Sequence, residues 1–307
     1  MKIVLSLNKK ERLYDYISMG ISTYILGGEH SFYAPYYFGL DEIEDLVKNN
    51  SNCHFYVAVN ALYDNYKMND VEEYLDRLHS IGVYGIVFQD FGVLQIVKEK
   101  GYAFDMMYSP ETLNTNVKTM NVLKKYGVTS AFVSKVIPLE EQVMIVENAD
   151  IPMMIQVHGV EYIAASKREL LSNYKDASGL DFDVSINNKL TIKARNSDEE
   201  YYIYEDDKGT HIFSKNRLYA IDLFNHLDKF EYLYIETLMM NEVEAIEVAS
   251  LYSDALESHK NGKYNKEVKE YSALLYKLRT PLHRGFLFDS TVYKLEDMRK
   301  RDHERNQ

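Results

Sequence analysis

Where the apolar runs of this sequence end, groups able to move a proton or hold an anion appear. Asn60 follows "HFYVAV", Gln89 and Asp90 follow "YGIVF", and Ser109 and Glu111 follow "FDMMY". Lys135 closes "SAFVSK", His158 and Gly159 close "IPMMIQVHG", and Glu236 follows "YLYI". Glu111, His158 and Glu236 are the expected catalytic groups, because carboxyl and imidazole side chains act as general acids and bases. His158 titrates near neutrality and stands beside a glycine, where backbone can approach a ligand. Asn60, Asp90, Ser109, Asn116, Lys135 and His211 are expected to bind substrate through hydrogen bonds or charge. Each has a plainer reading, since polar residues must appear wherever strands leave a core. His158 could equally donate to a neighbouring carbonyl. A Schiff-base role for Lys135 would need a buried, pKa-depressed amine, so pairing with an anion is the simpler role.

Other motifs carry less. Glu205, Asp206 and Asp207 near His211 read as the solvated tip of a hairpin. "HGVE" lacks the second histidine of a helical zinc site, so no metal site is expected, and Gly27-Gly28 lacks the flanking pattern of a dinucleotide or phosphate loop. No GxSxG nucleophile motif occurs. Cys53 precedes a strand, at the end opposite the groups above, and is not expected to be a nucleophile.

The elements that must position these groups are strands and helices in alternation. Eight runs read as strands: 2–7, 22–28, 54–60, 84–90, 104–109, 130–135, 151–159 and 232–239. They are continuous rather than alternating, as in parallel strands covered on both faces. Between them lie helical patterns. "NDVEEYLDRLHSIG" offers Asp70 as N-cap with Glu73 in a capping box and Gly82 as the stop. "NTNVKTMNVLKKYG", "LEEQVMIVENAD" and "NEVEAIEVASLYSDALE" follow the same plan. This order points to a (β/α)8 TIM-type barrel over residues 1–260, with a doubly wound open sheet as the alternative. Residues 175–216 break the rhythm with "KLTIKAR" and "EEYYIYEDDKGTHIFSK", a small antiparallel β insertion between strands seven and eight turning at Asp207-Lys208-Gly209. "RLYAIDLFNHLDKF" reads as a helix returning to the barrel. Residues 261–307 form a C-terminal extension with a charged tail.

The 307 residues carry a formal charge of −12, which argues against unaided binding to nucleic acid or an anionic membrane. One cysteine excludes disulfide frameworks and iron–sulfur clusters held by this chain alone. The first apolar run is too short for a signal peptide or a membrane span, and a cytoplasmic location is expected.

Several segments taken together resemble the collagenase-like peptidase U32 family: "YILGGEHSF", "VAVNALYDN", "VFQDFGVLQIVKE", "YSPETLNTNV", "QVHGVEYIAASKRELLSNY", "YYIYEDDKGTHIFSKNRLYAIDLF" and "GFLFDSTVY". They span nearly the whole chain, and the histidine–glycine segment and "EDDKGTHIFS" are the most specific. The resemblance implies the barrel and the insertion. It also implies the family's short branch, the smaller member of a pair with a longer, cysteine-bearing paralogue. Family members are implicated in prephenate-dependent hydroxylation of the wobble uridine of tRNA, and the better-equipped ones bind an iron–sulfur cluster through four cysteines. Two of those cysteines fall where this chain has Tyr162 and Glu169. Glu236 is kept from the strand-eight motif, but Thr237 and Met240 follow it, no arginine lies between Glu29 and Asp41, and Lys135-Val136 replaces an Arg-Glu pair. The resemblance therefore implies a non-redox accessory subunit with no cofactor of its own, any cluster coming from the partner and tRNA met through the complex. A peptidase of the collagenase-like kind and a catalytically inactive binding barrel are the alternatives.

Overall fold

The computed structural model describes residues 1–111, 113–193, 195 and 199–289. Seven parallel strands come first: β1 (Lys2–Ser6), β2 (Thr23–Leu26), β3 (His54–Val59), β4 (Gly85–Phe88), β5 (Asp105–Tyr108), β6 (Ser130–Phe132) and β7 (Met153–Gly159). Next come β8 (Tyr162–Ser166), β9 (Thr191–Lys193), β10 (Glu200–Asp206), β11 (Gly209–Ser214) and β12 (Arg217–Tyr219), then β13 (Tyr232–Ile235) and β14 (Leu282–His283). β1 to β7 pair in sequence order, and β13 pairs in parallel with both β1 and β7. That closure is an eight-stranded barrel, the expected TIM-type fold, and it removes the open-sheet alternative.

The helices are α1 (Leu13–Ser18), α2 (Leu40–Asn49), α3 (Met68–Ile81), α4 (Phe91–Lys100), α5 (Val117–Lys125), α6 (Leu139–Asn148), α7 (Leu170–Ser178), α8 (Glu242–Lys260) and α9 (Tyr264–Lys277). None of the described helices is long and apolar enough to cross a membrane. Alternate strand residues explain the continuous apolar runs. Val4, Ile25, Ala58, Val87, Met107, Phe132, Met154 and Tyr234 fill the barrel interior. Their neighbours Leu5, Leu26, Val57, Ile86, Met106, Ala131, Ile155 and Ile235 pack outward in the core shared with the helices. Both faces are apolar because both are covered.

Local chemistry ends the helices as expected. Asn116 and Asn241 accept hydrogen bonds from the backbone N–H groups of Thr119 and Glu244 at the starts of α5 and α8. Gly82 closes α3 with a φ of 81°. The start of α3 corrects the expectation for Asp70. A 3₁₀ turn over Asn65–Lys67 leads into the helix, so its cap is Lys67, and Asp70 lies in the first turn. There its charge still favours the positive end of the helix dipole.

The insertion is a four-stranded antiparallel sheet ordered β8-β11-β10-β9. Its hairpin turns at Asp207-Lys208, with Asp206 paired to Gly209. The sheet also recruits β8, which lies before residue 175, so the departure from the barrel begins directly after β7. Residues 217–230 are not the expected helix. They form β12, which pairs antiparallel with the end of β7, followed by turns and a 3₁₀ segment at Phe224–His226. The reason lies in its first five residues: Arg217, Leu218, Tyr219, Ala220 and Ile221 are all buried in succession, whereas a surface helix buries one stripe. The extension crosses back over the barrel, with α9 packed on α8 and β14 paired with β12. The charged tail from residue 290 onward lies outside the described residues.

Candidate functional site

Continuing the period of two beyond the interior layer gives the next ring upward at the C-terminal mouth. Val4 leads to Ser6, Ile25 to Gly27, Ala58 to Asn60, Met107 to Ser109 and then Glu111, and Tyr234 to Glu236. These residues, with Lys135 after β6, line one cavity of about 30 Å³. Residues 28–38 cover it, contributing Tyr33, Ala34 and Pro35 to its wall. The space holds one or two waters. A larger substrate enters only when this segment moves.

Two carboxyl groups dominate the cavity. The Lys135 ammonium lies 2.9 Å from Glu111 Oε2, with the two side chains 9% and 6% exposed. The Tyr33 hydroxyl donates to Glu111 Oε1 at 3.0 Å. Glu111 adopts a φ of 59°, a left-handed conformation unfavourable for a side chain with a Cβ. Strain of this kind persists where surrounding contacts over-determine it, and it gathers at functional sites. Across the cavity, Glu236 accepts from Ser6 Oγ at 2.8 Å, the Tyr234 hydroxyl at 2.7 Å and the Leu238 N–H at 2.8 Å. Burial pushes the Glu236 carboxyl above the usual carboxylate range, against these donors and the nearby Lys135 charge. Burial, reinforced by the carboxylates they face, also pushes the Tyr33 and Tyr234 hydroxyls well up. Two carboxyls in different settings, Glu111 ion-paired and Glu236 raised by burial, can divide proton donation and acceptance between them. Lys135 offsets the charge of Glu111.

The covering segment is tied down by specific bonds. Ser31 Oγ accepts from the Gly28 N–H and donates to the Ala58 carbonyl, at 2.7 and 2.9 Å. Asn60 Oδ1 accepts from the Phe32 N–H at 2.9 Å. Gly27 allows the close approach, since a Cβ there would stand 2.2 Å from the Ala34 Cβ and 2.3 Å from the Tyr36 carbonyl oxygen. Gly159 does the same for Glu236. Its φ is 111°, and a Cβ would fall 2.1 Å from the Glu236 backbone oxygen. Gly159→Ala is therefore expected to lower the unfolding free energy by about 2 kcal/mol or more, combining left-handed strain with overpacking. Urea unfolding reads this, and an unchanged midpoint would contradict the contact.

The structure thus brings together Asn60, Ser109, Glu111, Lys135 and Glu236. His158 does not join them. A bulge in the β7–β13 pairing lets its buried ring face α8, edge-on to Tyr252 at 5.4 Å, with Nδ1 3.4 Å from the Tyr252 hydroxyl. Burial, aided by the Arg217 charge, pushes its pKa down to about 3, so the ring is neutral. Asp90 caps α4 by accepting from the Gly92 N–H, and Asn116 caps α5. His211 lies buried in the insertion, 2.9 Å from Asp206, stacked on Tyr204 and edge-on to Phe32 of the covering segment. Sequence reasoning missed Ser6, Tyr33 and Tyr234. The period of two could have found Ser6 and Tyr234, whereas Tyr33 lies on a loop with no local signal.

Tyr162 stacks on Tyr33 with centroids 6.1 Å apart and planes 8° from parallel, and Phe213 meets both rings edge-on. An aromatic cluster thus seals the covering segment to the insertion. An iron–sulfur cluster requires thiolate ligands. The sole cysteine, Cys53, precedes β3 at the other end of the barrel, and Tyr162 offers no thiolate, so these residues do not fit such a cluster.

Fold and site together define an α/β TIM-type barrel protein with a covered carboxylate–lysine centre at the C-terminal ends of its strands. The model of peptidase family U32 matches residues 10–297, and the chain belongs to this family. Among curated proteins it is similar to tRNA hydroxylation protein P2 of Bacillus subtilis (strain 168), with 29% identity over 295 residues, 90% of this chain and 94% of that protein. Among solved structures, a U32 peptidase matches with 12% identity and a TM-score of 0.47, over 76% of this chain and 92% of the other. A 2,3-dimethylmalate lyase matches with 9% identity and a TM-score of 0.43, over 99% and 93%.

Proposed function

We propose that the protein serves prephenate-dependent hydroxylation of the wobble uridine of tRNA, as a non-redox accessory subunit of a longer, cysteine-bearing paralogue. The observation that carries this reading is the end-to-end similarity to a protein named for tRNA hydroxylation, 94% of whose length is matched. The chemistry of the site supports the division of labour. Its residues suit moving a proton at Glu236 or Glu111 beside the Lys135 charge, and they do not suit holding a cluster. The redox step then belongs to the partner.

Deleting the gene is expected to remove 5-hydroxyuridine-type nucleosides from tRNA, read by mass spectrometry of tRNA digests. The cysteine-bearing paralogue is expected to co-purify with the protein from native cells. Unchanged nucleoside levels in the deletion strain would reject the function. Intact function without co-purification would reject the accessory role.

A further inference from the structure

We infer that an open groove on the outer side of the covering segment is a stacking site for a single-stranded RNA base, an inference that rests on the tRNA reading above. The groove has a volume of about 450 Å³, within the range of small-ligand sites. Its walls carry the half-buried rings of Tyr63 and Tyr162 with the buried Phe32, and Lys67, Lys167 and Lys208 stand on its rim. Base–aromatic stacking with cations beside it is the common chemistry of single-strand recognition.

The charge balance decides the mode of binding. Glu29, Asp64 and Asp207 also line the groove, so its formal charge is zero. Lys167 pairs with Asp64 at 3.2 Å and Lys208 with Asp207 at 3.1 Å. Lys167 and Asp64 are 53% and 72% exposed, and exposed pairs of this kind contribute little, so a phosphate can take Asp64's place cheaply. Lys67 pairs with the exposed Asp70 at 3.5 Å and is released as cheaply, so the rings supply most of the affinity and Lys67 and Lys167 account for about one to two phosphates. This reconciles a chain of charge −12 with contact to RNA.

The groove is also coupled to the cavity beneath it. Tyr162 stacks on Tyr33, whose hydroxyl bonds Glu111. The backbone N–H of Phe32 is held by Asn60, which lines the cavity. A base seated on these rings rests on the segment that must move to open the site.

The test titrates the purified full-length chain with a fluorescent tRNA anticodon stem-loop, and separately with uridine monophosphate. A 4-thiouridine form of the stem-loop is crosslinked and the adducts are mapped. Tyr63→Leu and Tyr162→Leu are each expected to weaken RNA binding by about tenfold or more. The slope of log affinity against log salt is expected between about −0.7 and −1.4, the values for one and two neutralised phosphates on a single strand, and Lys167→Ala should flatten it. Crosslinks should fall on peptides carrying Tyr63 or Tyr162. Thermal melts confirm folding, and the exposed Lys67→Ala/Lys167→Ala pair provides a variant that leaves the packing intact. Absent RNA binding, unchanged affinity in the folded tyrosine variants, or crosslinks confined to other surfaces would overturn the site. Binding of the mononucleotide without the stem-loop would overturn RNA as its source. The deletion strain reads the function separately: RNA in the groove with hydroxylation unchanged keeps the site and removes the function, and lost hydroxylation with an empty groove does the reverse.

Discussion

Replacing Lys135 with methionine is expected to lower the unfolding free energy by about 3–5 kcal/mol, the usual result of removing one partner from a buried ion pair. The pair is well buried and close, with 2.9 Å between Lys135 Nζ and Glu111 Oε2. Methionine keeps the length of the stem but leaves the Glu111 carboxylate buried in a closed cavity without its cation, with the Tyr33 hydroxyl still donating to it. Glu111 also holds a left-handed backbone, so losing the cation removes a contact that stabilises a strained residue. The double variant Glu111→Gln/Lys135→Met should be less destabilised than the sum of the two single variants, because it leaves no unpaired charge. Urea unfolding of all four proteins measures this as a double-mutant cycle. Additive losses would mean that the two groups do not stabilise each other.

The second large effect is an acid-dependent loss of stability from His158. The folded pKa is depressed to about 3, against 6.5 ordinarily. Above pH 6.5 the ring is neutral in both states and its burial is unopposed. As pH falls from 6.5 towards 3, the unfolded chain takes up a proton that the folded chain refuses, and stability drops throughout that window. The full difference corresponds to about 4–5 kcal/mol, at about 1.4 kcal/mol per pH unit. His158→Gln is expected to lose stability at pH 7, through the lost packing on Tyr252, yet to show a shallower fall between pH 6.5 and 4. Parallel pH profiles for the two proteins would show that His158 does not carry the effect.

These two residues show what local sequence can reveal. The barrel was legible because strands buried on both faces leave long apolar runs, and each of the eight runs contains a strand of the closed barrel. The mouth was legible for the same reason: Asn60, Ser109, Glu111, Lys135 and Glu236 stand where those runs stop, and they share one cavity. His158 stands at such an end too, but a bulge turns it towards α8, and the bulge is set by pairing with β13, a strand more than 70 residues away. The boundary of the insertion was hidden similarly. "YIAAS" has weak alternation and half-buried side chains, and becomes a strand only through its pairing with β11. The segment 217–230 has the apolar content of a helix, but its start is buried at five successive positions, 217–221, as a strand paired with β7. Tyr33 was beyond reach, since only the path of the covering segment brings its hydroxyl to Glu111.

The most direct test of the central claim, that this chain serves tRNA hydroxylation through its covered carboxylate centre, is complementation. The deletion strain carries either the wild-type gene or Glu236→Gln, and 5-hydroxyuridine-type nucleosides are quantified by mass spectrometry of tRNA digests. The variant keeps the volume of the side chain but cannot move a proton, and positioned acid–base groups contribute about 10²–10⁴-fold. On this reading the wild-type gene restores the nucleosides and an equally abundant variant protein restores about one per cent or less. Full restoration by Glu236→Gln, or hydroxylation that survives the deletion, would contradict it.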